Sequence, residues 1–129
     1  MKKIILVLLC MMGFFSCTKD DNGANNKLVG TKWYSSYSNY LMVLEFSSQN
    51  NVVGYFATQN GVYNNGRTTG TYKVDGDNVT FSNMTYNWYD NAYYRLDSGN
   101  INGSLLSITG QSNLYNTGWN AWYETFTKQ

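Results

Sequence analysis

The sequence predicts an all-β domain of about eight antiparallel strands. Three observations carry that prediction. Short runs rich in Val, Ile, Thr, Tyr, Phe and Trp recur between clusters of Asn, Gly, Asp and Ser. The chain has no proline, while Tyr, Trp, Asn, Gly, Ser and Thr are abundant, which fits strands joined by tight turns. Beyond the N-terminus no segment has a convincing helical pattern, and apolar residues alternate with a period of two.

The strands are read at 31–38, 40–47, 52–58, 67–74, 79–86, 93–97, 104–109 and 119–127. In the second, Met42, Leu44 and Phe46 share one face, and Leu41, Val43 and Glu45 the other. Ser48-Gln49-Asn50-Asn51, Asp75-Gly76-Asp77-Asn78 and Ser98-Gly99-Asn100 read as turns, and 87–91 as a loop. Asn64-Asn65-Gly66 is a hairpin signal, because Asn-Gly accepts the positive φ of a type I′ turn. Near-regular spacing of this kind belongs to a meander that closes into a barrel or packs as a sandwich. Large residues such as Met42, Phe46, Tyr72 and Phe81 on the inward face predict an interior filled by side chains.

The N-terminus predicts an address. Met1-Lys2-Lys3 is followed by an apolar stretch from 4 to 15, then Ser16 and Cys17. A cationic start, a short apolar segment and a small residue at the cut make a secretory signal. The stretch is too short for a membrane-spanning helix, which needs about 20 residues. Phe14-Phe15-Ser16-Cys17 resembles a bacterial lipobox, which implies cleavage after Ser16 and acylation of Cys17 with chains such as palmitate. Two or three such chains hold a protein stably on a membrane. The organisation expected is a signal peptide over 1–16, a lipidated tether over 17–27 and one domain over 28–129. The run Cys17-Thr18-Lys19-Asp20-Asp21 resembles the surface-export signal of Bacteroidetes lipoproteins. It implies an outer-membrane protein displayed on the cell surface, with the periplasmic face as the alternative.

Composition narrows the chemistry. The chain has 129 residues, no histidine and two cysteines. Removing residues 1–16 leaves Cys17 as the sole cysteine, so no intrachain disulfide and no cysteine-based metal site is expected. Without histidine the commonest general base and transition-metal ligand are missing. Loss of Lys2 and Lys3 with the signal takes the formal charge from +1 to −1. No basic patch remains, so nucleic acid is not an expected partner. Serines are plentiful, but no Gly-x-Ser-x-Gly elbow and no phosphate-cradling glycine loop is present. The expectation is a non-catalytic protein without cofactor or metal.

Several pieces in order resemble the lipocalin-like domains of Bacteroidetes lipoproteins. They are Leu28-Val29-Gly30-Thr31-Lys32-Trp33, Leu44-Glu45-Phe46, the run Gly70-Thr71-Tyr72-Lys73-Val74-Asp75-Gly76-Asp77, Val79-Thr80-Phe81, and the tail Glu124-Thr125-Phe126-Thr127-Lys128. The resemblance implies a small up-and-down barrel, with Trp33 plugging one end and the hairpin around Gly76 on the rim.

Two features suggest where function lies. Glu124 alternates with Trp122 and Phe126, so an inward Phe126 brings the carboxylate inward too. A buried carboxylate needs a partner, and Arg95 and Arg67 are the candidates. Aromatic residues crowd 86–94 and 119–123, and a strand hides only alternate residues. Trp88, Tyr89, Trp119 and Trp122 are therefore the candidate contact set. Rigid amphipathic rings beside amides suit binding. The expected partner is a glycan, a small apolar molecule or an envelope protein. The alternative function is a structural accessory subunit or inhibitor docked on a larger envelope complex.

Overall fold

The structure, a computed structural model, describes residues 26–37, 40–58, 61–88 and 91–129, with the backbone alone at 37, 61–66 and 88. Residues 1–25, including Cys17, and Tyr89 lie outside the described residues.

Nine strands form one antiparallel barrel: β1 (Lys32–Tyr37), β2 (Tyr40–Phe46), β3 (Asn51–Thr58), β4 (Gly61–Asp75), β5 (Asn78–Ser82), β6 (Thr85–Trp88), β7 (Ala92–Asn102), β8 (Leu105–Asn113) and β9 (Trp119–Lys128). Each pairs with its chain neighbour except at β5 and β6, which share one edge of β7. Thr80, Val79 and Asn78 of β5 pair with residues 98–100, and β6 pairs with residues 92–95. They occupy a single strand position, so the wall has eight positions, closed by the β1–β9 pairing. A closed eight-position barrel of this kind is consistent with a lipocalin-like fold.

The sequence reading took 79–86 as one strand, and the structure breaks it. Asn83 adopts φ 57°, and the break shifts the phase of the alternation. Val79 and Phe81 point inward before it, Met84 and Tyr86 after it. Facing this break, β7 slips register between Leu96 and Ser98, so its inward set passes from Ala92, Tyr94 and Leu96 to Ile101. One extra residue on each of two neighbouring strands keeps both inner faces apolar.

Two expected turns are corrected. Ser98-Gly99-Asn100 lies within β7, whose turn to β8 falls at 103–104. A Cβ on Gly99 would stand 2.8 Å from the Ser107 carbonyl oxygen, so this glycine serves close packing. The left-handed residue of the real turn is Gly103, at φ 60°. Asn64-Asn65-Gly66 likewise lies inside β4, and the β3–β4 pairing ends at Thr58 and Gly61. Its residues sit where the pairing jumps from Gly54–Thr68 to Phe56–Tyr63, so a bulge takes the residues that a hairpin could have used. The expected 87–91 loop is shortened, since β6 extends through Trp88.

The interior is filled. Met42, Phe46, Tyr72 and Phe81 all belong to the central cluster, with Leu44, Val52, Phe56, Met84, Tyr86, Ile108 and Phe126. Val43, on the opposite face of β2, is also buried, in an outer cluster with Tyr55 and Ala57. Trp33 and Leu28 close the end formed by 47–50, 76–77 and 103–104. The Trp33 indole N–H donates to Thr31 Oγ1 at 2.8 Å, and the Thr31 hydroxyl donates to the Leu28 carbonyl. Asn26 and Lys27, read as the end of the tether, are already tied in. The Asn26 amide donates to the Tyr72 hydroxyl at 2.9 Å, and Lys27 pairs with Asp77.

Tyr86 crosses the middle of the barrel, its hydroxyl donating to the Val43 carbonyl at 2.8 Å. Burial holds that hydroxyl well above the ordinary tyrosine range. The unfolded chain ionises it near pH 10, whereas the native state keeps the proton. Stability is therefore complete below that pH and falls as pH rises past it. Tyr86→Phe is expected to cost about 1 kcal/mol at neutral pH. It should also make the alkaline decline shallower, as read from urea titrations between pH 7 and 11. An unchanged alkaline slope would show that Tyr86 does not carry the decline.

Candidate functional site

The end opposite Trp33 is the mouth of the barrel, where β1, β3, β6 and β8 finish and β2, β4, β7 and β9 begin. An aromatic ladder climbs to it from the core. Tyr86 and Phe56 meet edge-to-face at 5.5 Å, Phe56 and Tyr94 at 6.5 Å, and Tyr94 and Trp122 at 5.4 Å. Offset and tilted contacts like these stabilise ring pairs beyond their area. Trp122 is half-buried, so the ladder ends in a ring that water reaches.

Glu124 sits one inward position deeper than Trp122 on β9. Its partner is neither arginine expected from sequence. Arg95 lies outside the barrel, with Asp97 at 2.9 Å and Gln111 at 2.7 Å, and Arg67 lies over the Tyr55 ring at 5.4 Å. Instead the buried Ser35 hydroxyl donates to Glu124 Oε1 at 2.6 Å, and the Thr125 backbone N–H donates to the same oxygen at 3.1 Å. The carboxylate is half-buried, and a half-wet position needs no cation. A carboxylate beside the Ser35 hydroxyl, one inward position from the Trp122 indole, can accept hydrogen bonds from a hydroxylated ligand while the ring covers its apolar side.

Of the candidate contact residues, Trp88, Trp119 and Trp122 lie on strands at the mouth end, and Trp119 and Trp122 face opposite sides of the wall. Trp122 faces inward against the core. Trp119 faces outward, 45% exposed, with the Arg95 guanidinium 5.4 Å from its ring centre. Trp88 closes β6 opposite Ala92 at the same rim, its side chain outside the described residues together with Tyr89. Odd and even positions of one strand separate to opposite faces, which divides Trp119 from Trp122.

Sequence reasoning missed Tyr115. It stands in the 114–118 loop at the rim, 71% exposed, at φ 54°, and Asn116 follows at φ 61°. A left-handed aromatic residue is a backbone outlier that surrounding contacts must hold. Here the Thr117 N–H and hydroxyl donate to the Leu114 carbonyl at 3.1 and 2.7 Å, and the Gly118 N–H donates to Asn113 Oδ1 at 3.2 Å. The signal that could have found it is the Asn113…Gly118 bracket around a Tyr-Asn pair.

A groove of about 640 Å³ lies at the other end, lined by Lys27, Gln49, Asn50, Tyr72, Lys73 and Asp77 among others. Several of its polar side chains already serve the fold. Lys27 is paired to Asp77, and the Tyr72 hydroxyl donates to the Ser48 carbonyl at 2.7 Å and accepts from Asn26. Among the described residues no group of three or more acidic, histidine or cysteine side chains converges to hold a metal. No protein-family model matches the chain, and no curated protein or solved structure matches it.

Proposed function

We propose that the protein is a lipid-anchored, non-catalytic binding module of the lipocalin-like lipoprotein kind, held in the outer membrane through Cys17 and displayed at the cell surface. The barrel mouth is its recognition surface. The aromatic ladder ending in Trp122, beside Glu124 and Ser35, carries this reading. Three further points support it. The described chain enters at the Trp33 end, so an anchor at Cys17 leaves the mouth facing away from the membrane. The filled interior leaves the middle of the barrel to Tyr86 and Met84, which favours surface recognition over an enclosed apolar ligand. The Trp122 ring between Asn120 and Glu124 on one face of β9, with the Ser35 hydroxyl at the carboxylate, suits a glycan better than a wholly apolar molecule.

Trp122→Ala and Tyr115→Ala are expected to weaken binding on a glycan array at least tenfold, the usual cost of losing a central aromatic contact. Cys17→Ser should move the protein from the membrane to the soluble fraction while leaving glycan binding intact. Binding that survives both aromatic changes rejects the mouth as the contact surface. A silent array, with one stoichiometric envelope protein recovered instead, supports the second reading, an accessory subunit docked on a larger complex.

A further inference from the structure

Glu124 turns a carboxylate toward the mouth, and the chain supplies no positive charge to meet it. There are nine Lys and Arg residues. Lys2, Lys3 and Lys19 precede the described chain, which enters at the Trp33 end. Lys27, Lys32, Lys73 and Lys128 belong to that same end. Arg67 and Arg95 are held on the outside, over Tyr55 and beside Asp97. The mouth residues outside the described ones, 38–39, 59–60 and 89–90, include neither Lys nor Arg. The barrel therefore has no cation of its own for this carboxylate. Two neutral donors, the Ser35 hydroxyl and the Thr125 N–H, meet at Oε1, and Oε2 makes no hydrogen bond among the described residues.

In the free protein water reaches the half-buried carboxylate and satisfies it. A ligand lying on Trp122 changes that. Trp122 is one inward position nearer the mouth, about 7 Å along the strand, so whatever covers its ring also takes water from Glu124. A charge desolvated without a partner is costly, and an acidic sugar would add repulsion. An ammonium on the ligand removes both costs. The Trp122 and Tyr94 rings, 5.4 Å apart, favour a cation as well. Low-dielectric walls around the carboxylate focus its field on the mouth.

The rest of the lining addresses hydroxyls. Ser112 lies on the inward face of β8, between Tyr94 of β7 and Asn120 of β9 in register. It is only 8% exposed, and its hydroxyl makes no hydrogen bond among the described residues. A buried hydroxyl ordinarily has a partner. This one is not sealed off, so a ligand can reach it. We infer that the mouth reads a sugar unit bearing a free amine. Its ammonium pairs with Glu124, its ring lies on Trp122 and one of its hydroxyls bonds Ser112. The inference rests on the glycan reading above and narrows it to amino sugars that are not acetylated.

The test is calorimetric titration of the full-length protein in detergent with short oligomers of glucosamine, N-acetylglucosamine and glucose, matched in length and linkage. The glucosamine oligomer is expected to bind about tenfold or more tighter than the other two. Acetylation removes the charge and keeps the sugar, so this comparison needs no mutation. Added salt should weaken glucosamine binding and leave glucose binding unchanged. Glu124→Gln keeps the side-chain shape and an acceptor for Ser35, and it is expected to erase both the preference and the salt dependence. Ser112→Ala should weaken all three oligomers by a similar factor, about fivefold. Its urea midpoint should not move, because the fold makes no use of that hydroxyl. Equal binding of the three oligomers, or a preference that survives Glu124→Gln, overturns the inference and leaves the glycan reading standing. Unchanged binding in Ser112→Ala overturns the assignment of that hydroxyl. Absence of glucosamine binding overturns the inference too, and the glycan array then decides the broader reading separately.

Discussion

Gly54→Ala is expected to destabilise the barrel by about 3 kcal/mol, the upper part of the range for overpacking a filled core. Gly54 lies on β3 directly under the Tyr86 ring, and an added Cβ would stand 2.5 Å from two ring carbons and closer still to the Met84 terminal methyl. Met84 is a flexible chain and can turn aside. Tyr86 cannot, because its hydroxyl is bound to the Val43 carbonyl and its ring is held edge-to-face by Phe56. Relief then requires either breaking a buried hydrogen bond or shifting β3 away from β6. Equilibrium urea unfolding measures the cost. In a Tyr86→Phe background the ring loses its hydroxyl tether, so the same glycine change should cost less, a coupling of about 1 kcal/mol. A Gly54→Ala protein within 0.5 kcal/mol of wild type would mean that the ring is not wedged there.

Trp33→Ala is expected to cost about 3 to 5 kcal/mol, the range for deleting a fully buried aromatic side chain. Trp33 does more than fill volume. Its indole N–H donates to Thr31, and Thr31 holds the carbonyl of Leu28, which is itself buried completely. The Gly30 N–H donates to the Phe46 carbonyl, and the Phe46 N–H to the Thr31 carbonyl. Losing the indole thus loosens the strap over 26–31 together with the plug. Hydrogen exchange should show faster exchange at Gly30 and Thr31 in the variant, beside the lowered urea midpoint. Trp33→Phe should recover roughly half of the loss, since it restores ring volume but not the N–H. A cost below about 1 kcal/mol would show that the plug is dispensable.

Much of the barrel is legible because strand alternation is local information. Met42, Leu44 and Phe46 announce their face within seven residues, and the structure places all three in the core. The two bulges were not legible. Asn83 and Asp97 look ordinary in sequence, and each is explained only by the strand beside it, where the matching shift occurs. Ser98-Gly99-Asn100 misled for a related reason. Glycine marks both turns and close approaches, and only the position of Ser107 reveals which. The inward direction of Glu124 follows from its alternation with Phe126. Its partner Ser35 does not, because 89 residues of chain separate them. Tyr115 escaped because the left-handed conformation of an aromatic residue is imposed by loop contacts that no propensity describes.

The plug at Trp33 was implied by the resemblance to lipocalin-like domains, while by itself the sequence determined an all-β domain of about eight strand positions and its inward residues on several strands. These depend on neighbours along the chain, through pleat alternation and turn chemistry. Only the tertiary structure decided that the β1–β9 and β5–β7 pairings complete the ring, that Tyr86 rests on Gly54, and that Trp119 and Trp122 divide between the outside and the mouth. It alone revealed that, among the described residues, β1 and β9 pair at Trp33–Lys128 and Tyr34–Thr127. Closure and wedging are relations between strands far apart in the chain. They are set by register and shear around the whole barrel, which no local window of residues contains.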